Sequence, residues 1–302
     1  MGVLDSIGNT PLVSLERIFH KPGVAIKAKL EGNNPGGSVK DRIAFVMIRD
    51  AEASGKIKKG DTILEATSGN TGIGLAMVGA AKGYRVKLVM PSCVSQERRK
   101  VLEAFGAELV LSPGNEGTDG AIRLAHRILQ DAPDQYFMPN QFENPSNYMA
   151  HYETTGKEII EQTGGDLDCF VAGMGTTGTL MGVSRRLKEF RGSIRIVGIE
   201  PNLGHKIQGL KNMKEAIVPT IYDPGHLDEI MTIGDEEAFA TARRLALEEG
   251  IFVGMSSGAA MAGAMKVAEG MDNGAVVVLF PDRGDRYLST TLFASICGCC
   301  PP

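Results

Sequence analysis

No apolar run in this sequence reaches the ~18 residues of a membrane span, and the N-terminus lacks the basic and apolar regions of a secretory signal. Basic charge is not in excess either. The 32 Lys and Arg against 36 Asp and Glu leave a net charge of −4 and a pI near 5.8. That balance argues against nucleic acid or an anionic membrane as partner. The cysteines are few and odd in number: Cys93, Cys169, Cys297, Cys299 and Cys300. Without a secretory signal they do not predict a disulfide framework. The terminal Cys-Gly-Cys-Cys-Pro-Pro has no second ligand pair near it, so no metal site is expected and the segment reads as a reduced tail. Repeats and low-complexity segments are missing too. These absences leave a cytoplasmic globular protein. Its 302 residues, 43% hydrophobic and 23% charged, are enough for two domains with cores of their own.

Short β-rich runs alternate with longer helical periods. The strand-like runs are 25–30, 62–65, 85–90, 107–111, 168–172, 195–199 and 275–280. Helical periods occupy 71–82, 96–105, 117–130, 146–162, 179–190 and 236–249. This alternation predicts an α/β fold of two doubly wound domains with parallel-rich sheets and a site in the cleft between them. The pattern loosens over 133–145, so the expected division is 1–144 and 145–302, with a smaller, mobile part at about 36–144. Residues 201–227, with three prolines, resist regular structure and predict a surface loop.

Four segments carry chemistry. Asn33-Asn34-Pro35-Gly36-Gly37-Ser38-Val39-Lys40-Asp41-Arg42 delivers one lysine to a helix start, with Val39, Ile43, Val46, Met47 and Ala51 at helical period behind it. Ser38 is placed to cap that helix. A lysine in a first turn faces the positive end of the dipole, which favours the neutral amine that forms Schiff bases. Read alone, Lys40 is also compatible with a solvated surface lysine. Thr67-Ser68-Gly69-Asn70-Thr71-Gly72 follows a strand and opens a helix, a site for a carboxylate or phosphate. Gly173-Met174-Gly175-Thr176-Thr177-Gly178-Thr179 fits the dinucleotide fingerprint, with Glu200 about 20 residues on as a ribose partner. The same loop suits a single phosphate held by amides and threonine hydroxyls. No obvious His or Tyr acid accompanies the nicotinamide alternative, and a Walker loop is absent. Gly254-Met255-Ser256-Ser257-Gly258 opens a further helix and reads equally as a plain cap.

A helix-end lysine, an anion loop, a phosphate loop and a serine at another helix start together suit pyridoxal phosphate. A neutral serine at the pyridine nitrogen makes a weak electron sink, fit for losing a good β leaving group. These residues resemble the cysteine synthases (O-acetylserine sulfhydrylases) among the fold-type II pyridoxal-phosphate enzymes. The resemblance extends through Gly8-Asn9-Thr10-Pro11-Leu12, Asn140-Gln141-Phe142 and Arg286-Tyr287-Leu288-Ser289-Thr290. Gly175 to Thr179 and Asp282-Arg283-Gly284-Asp285-Arg286 are similar to the B-type, whose members also accept thiosulfate.

The resemblance implies that Lys40 forms the Schiff base and moves the α-proton, that Asn70 bonds the ring oxygen and that Ser256 meets the ring nitrogen. Gly175, Thr176, Thr177, Gly178 and Thr179 would hold the cofactor phosphate; Thr67, Ser68, Gly69, Thr71 and Gln141 would hold the substrate carboxylate. The implied reaction converts O-acetylserine and sulfide to cysteine and acetate in a homodimer. Dehydratase and cystathionine β-synthase activities are the alternatives on the same scaffold. The stretch Leu210-Lys211-Asn212-Met213 resembles instead the branch using O-phosphoserine, with Lys211 where an arginine reads phosphate. Asp282 is expected at the site entrance.

Overall fold

The computed structural model describes residues 1–67 and 69–293, and among these ten strands gather into two sheets. The strands are β1 (Leu12–Leu15), β2 (Val24–Leu30), β3 (Thr62–Ala66), β4 (Arg85–Pro91), β5 (Glu108–Ser112), β6 (Tyr136–Phe137), β7 (Cys169–Gly173), β8 (Arg195–Pro201), β9 (Glu229–Ile233) and β10 (Gly274–Phe280). The larger sheet runs β1-β2-β10-β7-β8-β9 and the smaller β5-β4-β3-β6. Within these sheets every pairing is parallel except that of β1 with β2. Helices α1 (Lys40–Ala53), α2 (Asn70–Lys82), α3 (Gln96–Ala104), α4 (Gly117–Asp131), α5 (Ser146–Ala150), α6 (Gly156–Thr163), α7 (Gly178–Phe190), α8 (Asp235–Glu249) and α9 (Met255–Glu269) cover them. A π-helical turn, His151–Thr155, joins α5 to α6, so the helix predicted over 146–162 is continuous but locally widened.

Parallel strands are covered on both faces, so their sequences are near-continuous apolar runs. All five residues of β3 are buried, as are all but the first of β10. Alternate residues of each strand feed opposite cores. Val276 and Val278 pack with Met261 and Leu245 under α8 and α9, whereas Val277 and Leu279 pack with Leu180 and Leu187 of α7. In the smaller sheet Ile63 joins Ile48, Ile73 and Leu75 of α1 and α2, while Leu64 faces Ala121 and Ala125 of α4.

The expected strands all appear, within a residue or two of their predicted bounds, and three more occur. β1 has four residues, β6 two, and β9 (EIMTI) is only half-buried. All three are outermost in their sheets, where a strand needs no apolar run. The predicted division at 144/145 cuts across the larger sheet. β1 and β2 belong to that sheet because β2 pairs with β10, Ile26 beside Val276 and Ala28 beside Val278. The chain leaves the large sheet after β2, builds the smaller unit from α1 to β6, and returns at β7. The segment predicted as a surface loop at 201–227 is irregular after Pro201 and mostly exposed or half-buried, but Ile207, Leu210, Asn212 and Ile221 are buried and part of it lines the cleft.

Candidate active site

Segments that follow β3, β4, β5, β7, β8 and β10 line one cleft of about 740 Å³, where the loops of an α/β sheet collect ligands. Lys40, Thr67, Gly69, Asn70, Thr71, Gln141, Gly175, Thr176, Thr177, Thr179, Lys211 and Ser256 all line it. Gly178 does not. It lies beneath the loop, against Asn147. Ser68 and the cysteines at 297, 299 and 300 are outside the described residues.

Lys40 begins α1, and the preceding loop is fastened to the end of β10. The Val39 amide donates to the Pro281 carbonyl at 2.9 Å, and Ser38 bridges Asp282. Ser38 Oγ accepts from the Lys40 amide at 3.2 Å, one position earlier than a cap on the observed helix boundary. Asp41, in the first turn, accepts from the Gly36 amide at 2.6 Å and closes the glycine loop on the helix. Burial lowers the Lys40 pKa, and the charges of Asp282 and Glu31 oppose that shift only in part. The direction is the predicted one, and desolvation is its main cause.

Two residues further along α1, Arg42 sits 2% exposed between two carboxylates. Its Nε and Nη2 donate to Glu31 at 2.7 and 2.8 Å, and its Nη1 and Nη2 to Glu158 at 2.6 and 2.8 Å. Lys29 completes the cluster, donating to Glu158 at 2.6 Å. Burial alone would raise the Glu31 pKa, yet Arg42 and the Thr10 hydroxyl hold it down at about 2. The cluster ties the lysine-bearing turn of α1 to β2 and α6, so Lys40 is anchored to the larger unit.

Asn70 is fixed from both ends of its amide. Its Nδ2 donates to Asp282 at 2.6 Å, and Arg286 donates to its Oδ1 and to the Gly36 carbonyl. Asp282 is 1% exposed and also accepts from the Tyr287 hydroxyl at 2.6 Å. It is therefore a buried frame for Asn70, not a residue of the entrance as the sequence suggested. Gln141 is held similarly: it accepts from Thr71 Oγ1 at 2.6 Å and donates to the Ala66 carbonyl at 3.0 Å. These contacts hold Thr71 and Gln141 side by side on the lining of the cleft.

Thr177 takes a left-handed backbone (φ 67°) as the glycine-threonine loop turns into α7, bringing the helix's free amides to the cleft. Ser256, 4% exposed, lies in the first turn of α9, and Gly209 of the 202–227 segment passes over it. Glu200, the ribose partner of the dinucleotide alternative, accepts from Thr232 on the neighbouring strand at 3.4 Å and is absent from the cleft. Lys211 reaches the cleft with its charge already matched: Asp119 lies 3.4 Å away and the Phe142 ring 4.8 Å below the ammonium. The sequence reading missed Asn147 and His151, both buried behind the phosphate loop. A signal was present in the spacing Asn147, His151 and Gly178, Gly182, each pair four residues apart.

The donor set suits one cofactor: an amine with a lowered pKa, a helix N-terminus with threonine hydroxyls, an oriented amide and a neutral hydroxyl, all on one cleft. Comparison with known proteins agrees. Residues 3–282 match the family described as pyridoxal-phosphate dependent enzyme. This chain belongs to that family. Its cofactor is pyridoxal phosphate, and the dinucleotide reading of the glycine loop is withdrawn. This pyridoxal-phosphate dependent enzyme is 50% identical over 288 residues to cysteine synthase B of Escherichia coli (strain K12), covering 95% of this chain and 94% of that one. The crystal structure of an O-ureido-L-serine synthase matches it with a TM-score of 0.92 at 44% identity, covering 97% of this chain and 95% of the other. The cysteine synthase of Entamoeba histolytica matches with a TM-score of 0.92 at 42% identity, over 97% and 90%.

Proposed function

We propose that this enzyme is a cysteine synthase that replaces the acetate of O-acetyl-L-serine with sulfide, giving L-cysteine and acetate. One observation carries the reading: Lys40, the Thr67–Thr71 anion site, the Gly175–Thr179 loop and the neutral hydroxyl of Ser256 face a single cleft.

Bound pyridoxal phosphate supplies a carbonyl carbon for an amino group and a ring that draws electrons from the α-carbon. Lys40 would hold it covalently, and with substrate bound its amine would be the base nearest the α-carbon. The hydroxyl of Thr67, the first-turn amide of Thr71 and the second amide hydrogen of Gln141 would bind the substrate carboxylate, while the Thr71 hydroxyl stays on Gln141 and the Gly69 amide on Thr67; Ser68 belongs to the same loop. Asn70, its amide orientation fixed by Asp282 and Arg286, would donate to the ring oxygen, and Ser256 would meet the ring nitrogen. A hydroxyl there leaves the nitrogen without the charged partner that would prolong a carbanion, so loss of a good β leaving group is favoured. The Lys40 amine, kept neutral by burial and so free to accept a proton, takes the α-proton as acetate departs and returns it once hydrosulfide has bonded to the β-carbon. Positioned proton transfer of this kind is worth roughly 10²- to 10⁴-fold. The 202–227 segment roofs the cleft and limits water while the proton is held.

The paired charge of Lys211 supports an uncharged acetyl group over a phosphate at the β-carbon, because Asp119 compensates the ammonium before any donor arrives. The smaller unit that follows the anchored Lys40 turn, through β6, is the part we expect to close on the substrate. Among the described residues no helix is long and apolar enough to cross a membrane; a cytoplasmic location and a homodimeric assembly complete the proposal. Cysteine formation from sulfide with O-acetylserine, O-phosphoserine or serine tests it. Turnover with O-acetylserine well above the other two supports the reading. Preference for O-phosphoserine, or release of ketoacid and ammonia, would overturn it.

A further inference from the structure

Behind the glycine-threonine loop, α5 and the π turn run directly against the start of α7. Asn147 and His151, four residues apart, face Gly178 and Gly182, also four apart. A Cβ on Gly178 would lie 1.9 Å from Asn147 Oδ1, and one on Gly182 would lie 2.1 Å from the Tyr148 carbonyl and 2.7 Å from His151 Cβ. The glycines therefore let two fully buried polar side chains, 0% and 1% exposed, reach the loop from below.

Each of the loop's three hydroxyls has a definable hydrogen. Thr177 donates to the Thr176 carbonyl at 2.6 Å, so its hydrogen is committed. Thr176 Oγ1 receives hydrogen bonds from Asn147 Nδ2 at 3.1 Å and from the Gly178 amide at 3.5 Å, which leaves its own hydrogen for the cleft it lines. Thr179 Oγ1 is 3.3 Å from His151 Nε2, and His151 Nδ1 is 2.9 Å from Thr155 Oγ1. Burial, with the charges of Lys40 and Arg42, pushes the His151 pKa down to about 3, so the ring is neutral and carries one N–H. Thr155 is fully buried and has no other partner for its hydrogen among the described residues. If Nδ1 carried the proton, the Thr155 hydrogen would be buried unpaired, an expensive arrangement. With the proton on Nε2, Thr155 donates to Nδ1, Nε2 donates to Thr179, and the Thr179 hydrogen is free to face the cleft.

We propose that Asn147, His151 and Thr155 are positioning residues that turn the hydroxyls of Thr176 and Thr179 into outward donors, and so select the phosphate-bearing form of the cofactor over unphosphorylated pyridoxal. The inference rests on the reading that this loop holds the cofactor phosphate. A hydroxyl forced to accept would instead present a lone pair to an anion.

Nitrogen-15 NMR of the holoenzyme labelled at its five histidines tests the tautomer directly. His151 is expected neutral and protonated at Nε2; protonation at Nδ1, or at both nitrogens, overturns the inference. Thr155→Val removes the donor to Nδ1 at nearly constant shape. It is expected to raise the dissociation constant of pyridoxal phosphate roughly tenfold or more, the worth of one charge-assisted hydrogen bond. Affinity for pyridoxal should not change, and Thr155→Ser should restore the parent value. Equal losses for both ligands, or no loss for either, would contradict the proposal. Thr179→Val separates this inference from its premise. If Thr179→Val spares phosphate affinity, the loop assignment itself fails; if it impairs that affinity and Thr155→Val does not, only the positioning tier fails.

Discussion

Arg42→Met removes both forked contacts of the buried arginine while keeping most of its apolar volume. Glu31 and Glu158 would then share one buried cation, Lys29, in place of two. The native environment holds Glu31 at about 2 against an ordinary 4.5, and at about 1.4 kcal/mol per pH unit that is about 3 kcal/mol of stability. Breaking one partner of a buried pair typically costs about 3–5 kcal/mol, since the remaining charge is left uncompensated. The two routes agree, so Arg42→Met should lose about 3–5 kcal/mol in urea unfolding at neutral pH with saturating cofactor. The sign with pH is also fixed. A depressed carboxylate contributes fully above its unfolded pKa near 4.5, and that contribution is lost as pH falls toward 2. The parent protein should therefore show a steep acid limb over this range, and the variant a flattened one. Arg42→Lys keeps the charge but not the fork and should fall between them. A cost below about 1 kcal/mol, or an unchanged acid limb, would refute the reasoning that this cluster anchors the Lys40 turn.

Three further outcomes follow from other sites. Burial raises the Glu65 pKa to about 8, so the native state keeps a proton that the unfolded chain releases near 4.5. Stability should decline as pH rises from about 5 to 8, and Glu65→Gln should abolish that decline in thermal melts; a parallel decline in the variant would contradict it. Asp119→Asn frees the Lys211 ammonium, so kcat/KM for O-phosphoserine relative to O-acetylserine should rise about fivefold, as befits a partly exposed pair; an unchanged ratio would remove Lys211 from donor selection. Gly182→Ala drives a methyl into the Tyr148 carbonyl at 2.1 Å, and separating the helices should cost about 2–3 kcal/mol. Its unfolding midpoint should drop and cofactor release should quicken, whereas a parent-like variant would mean the close approach is not needed.

The features legible in the sequence were those that act locally. Parallel strands such as β3 and β10 announce themselves as apolar runs because both faces are covered, and α1 shows its period in Ile43, Val46, Met47 and Ala51. Lys40, Asn70 and Ser256 stand at helix starts, where polar residues among glycines stand out, and the structure places all three on the cleft. Edge strands such as β9 carry no comparable run. Arg42 is separated from Glu31 by 11 positions and from Glu158 by 116, so nothing in the local pattern reveals their pairing. Asn147 and His151 look like the solvated face of an amphipathic helix until α7 is laid against them. Lys211 reads as a free charge because its partner Asp119 lies 92 positions away. Asp282 falls in the same class: its burial follows from Tyr287 and Asn70 closing over it, which no spacing expresses.

The most direct test of the central claim is to reduce the purified holoenzyme with borohydride and map the modified peptide by mass spectrometry. The account predicts that the pyridoxyl phosphate mass sits on Lys40 alone, and that addition of O-acetylserine before reduction protects Lys40. Label on another lysine, or labelling of Lys40 that O-acetylserine leaves unchanged, would contradict it.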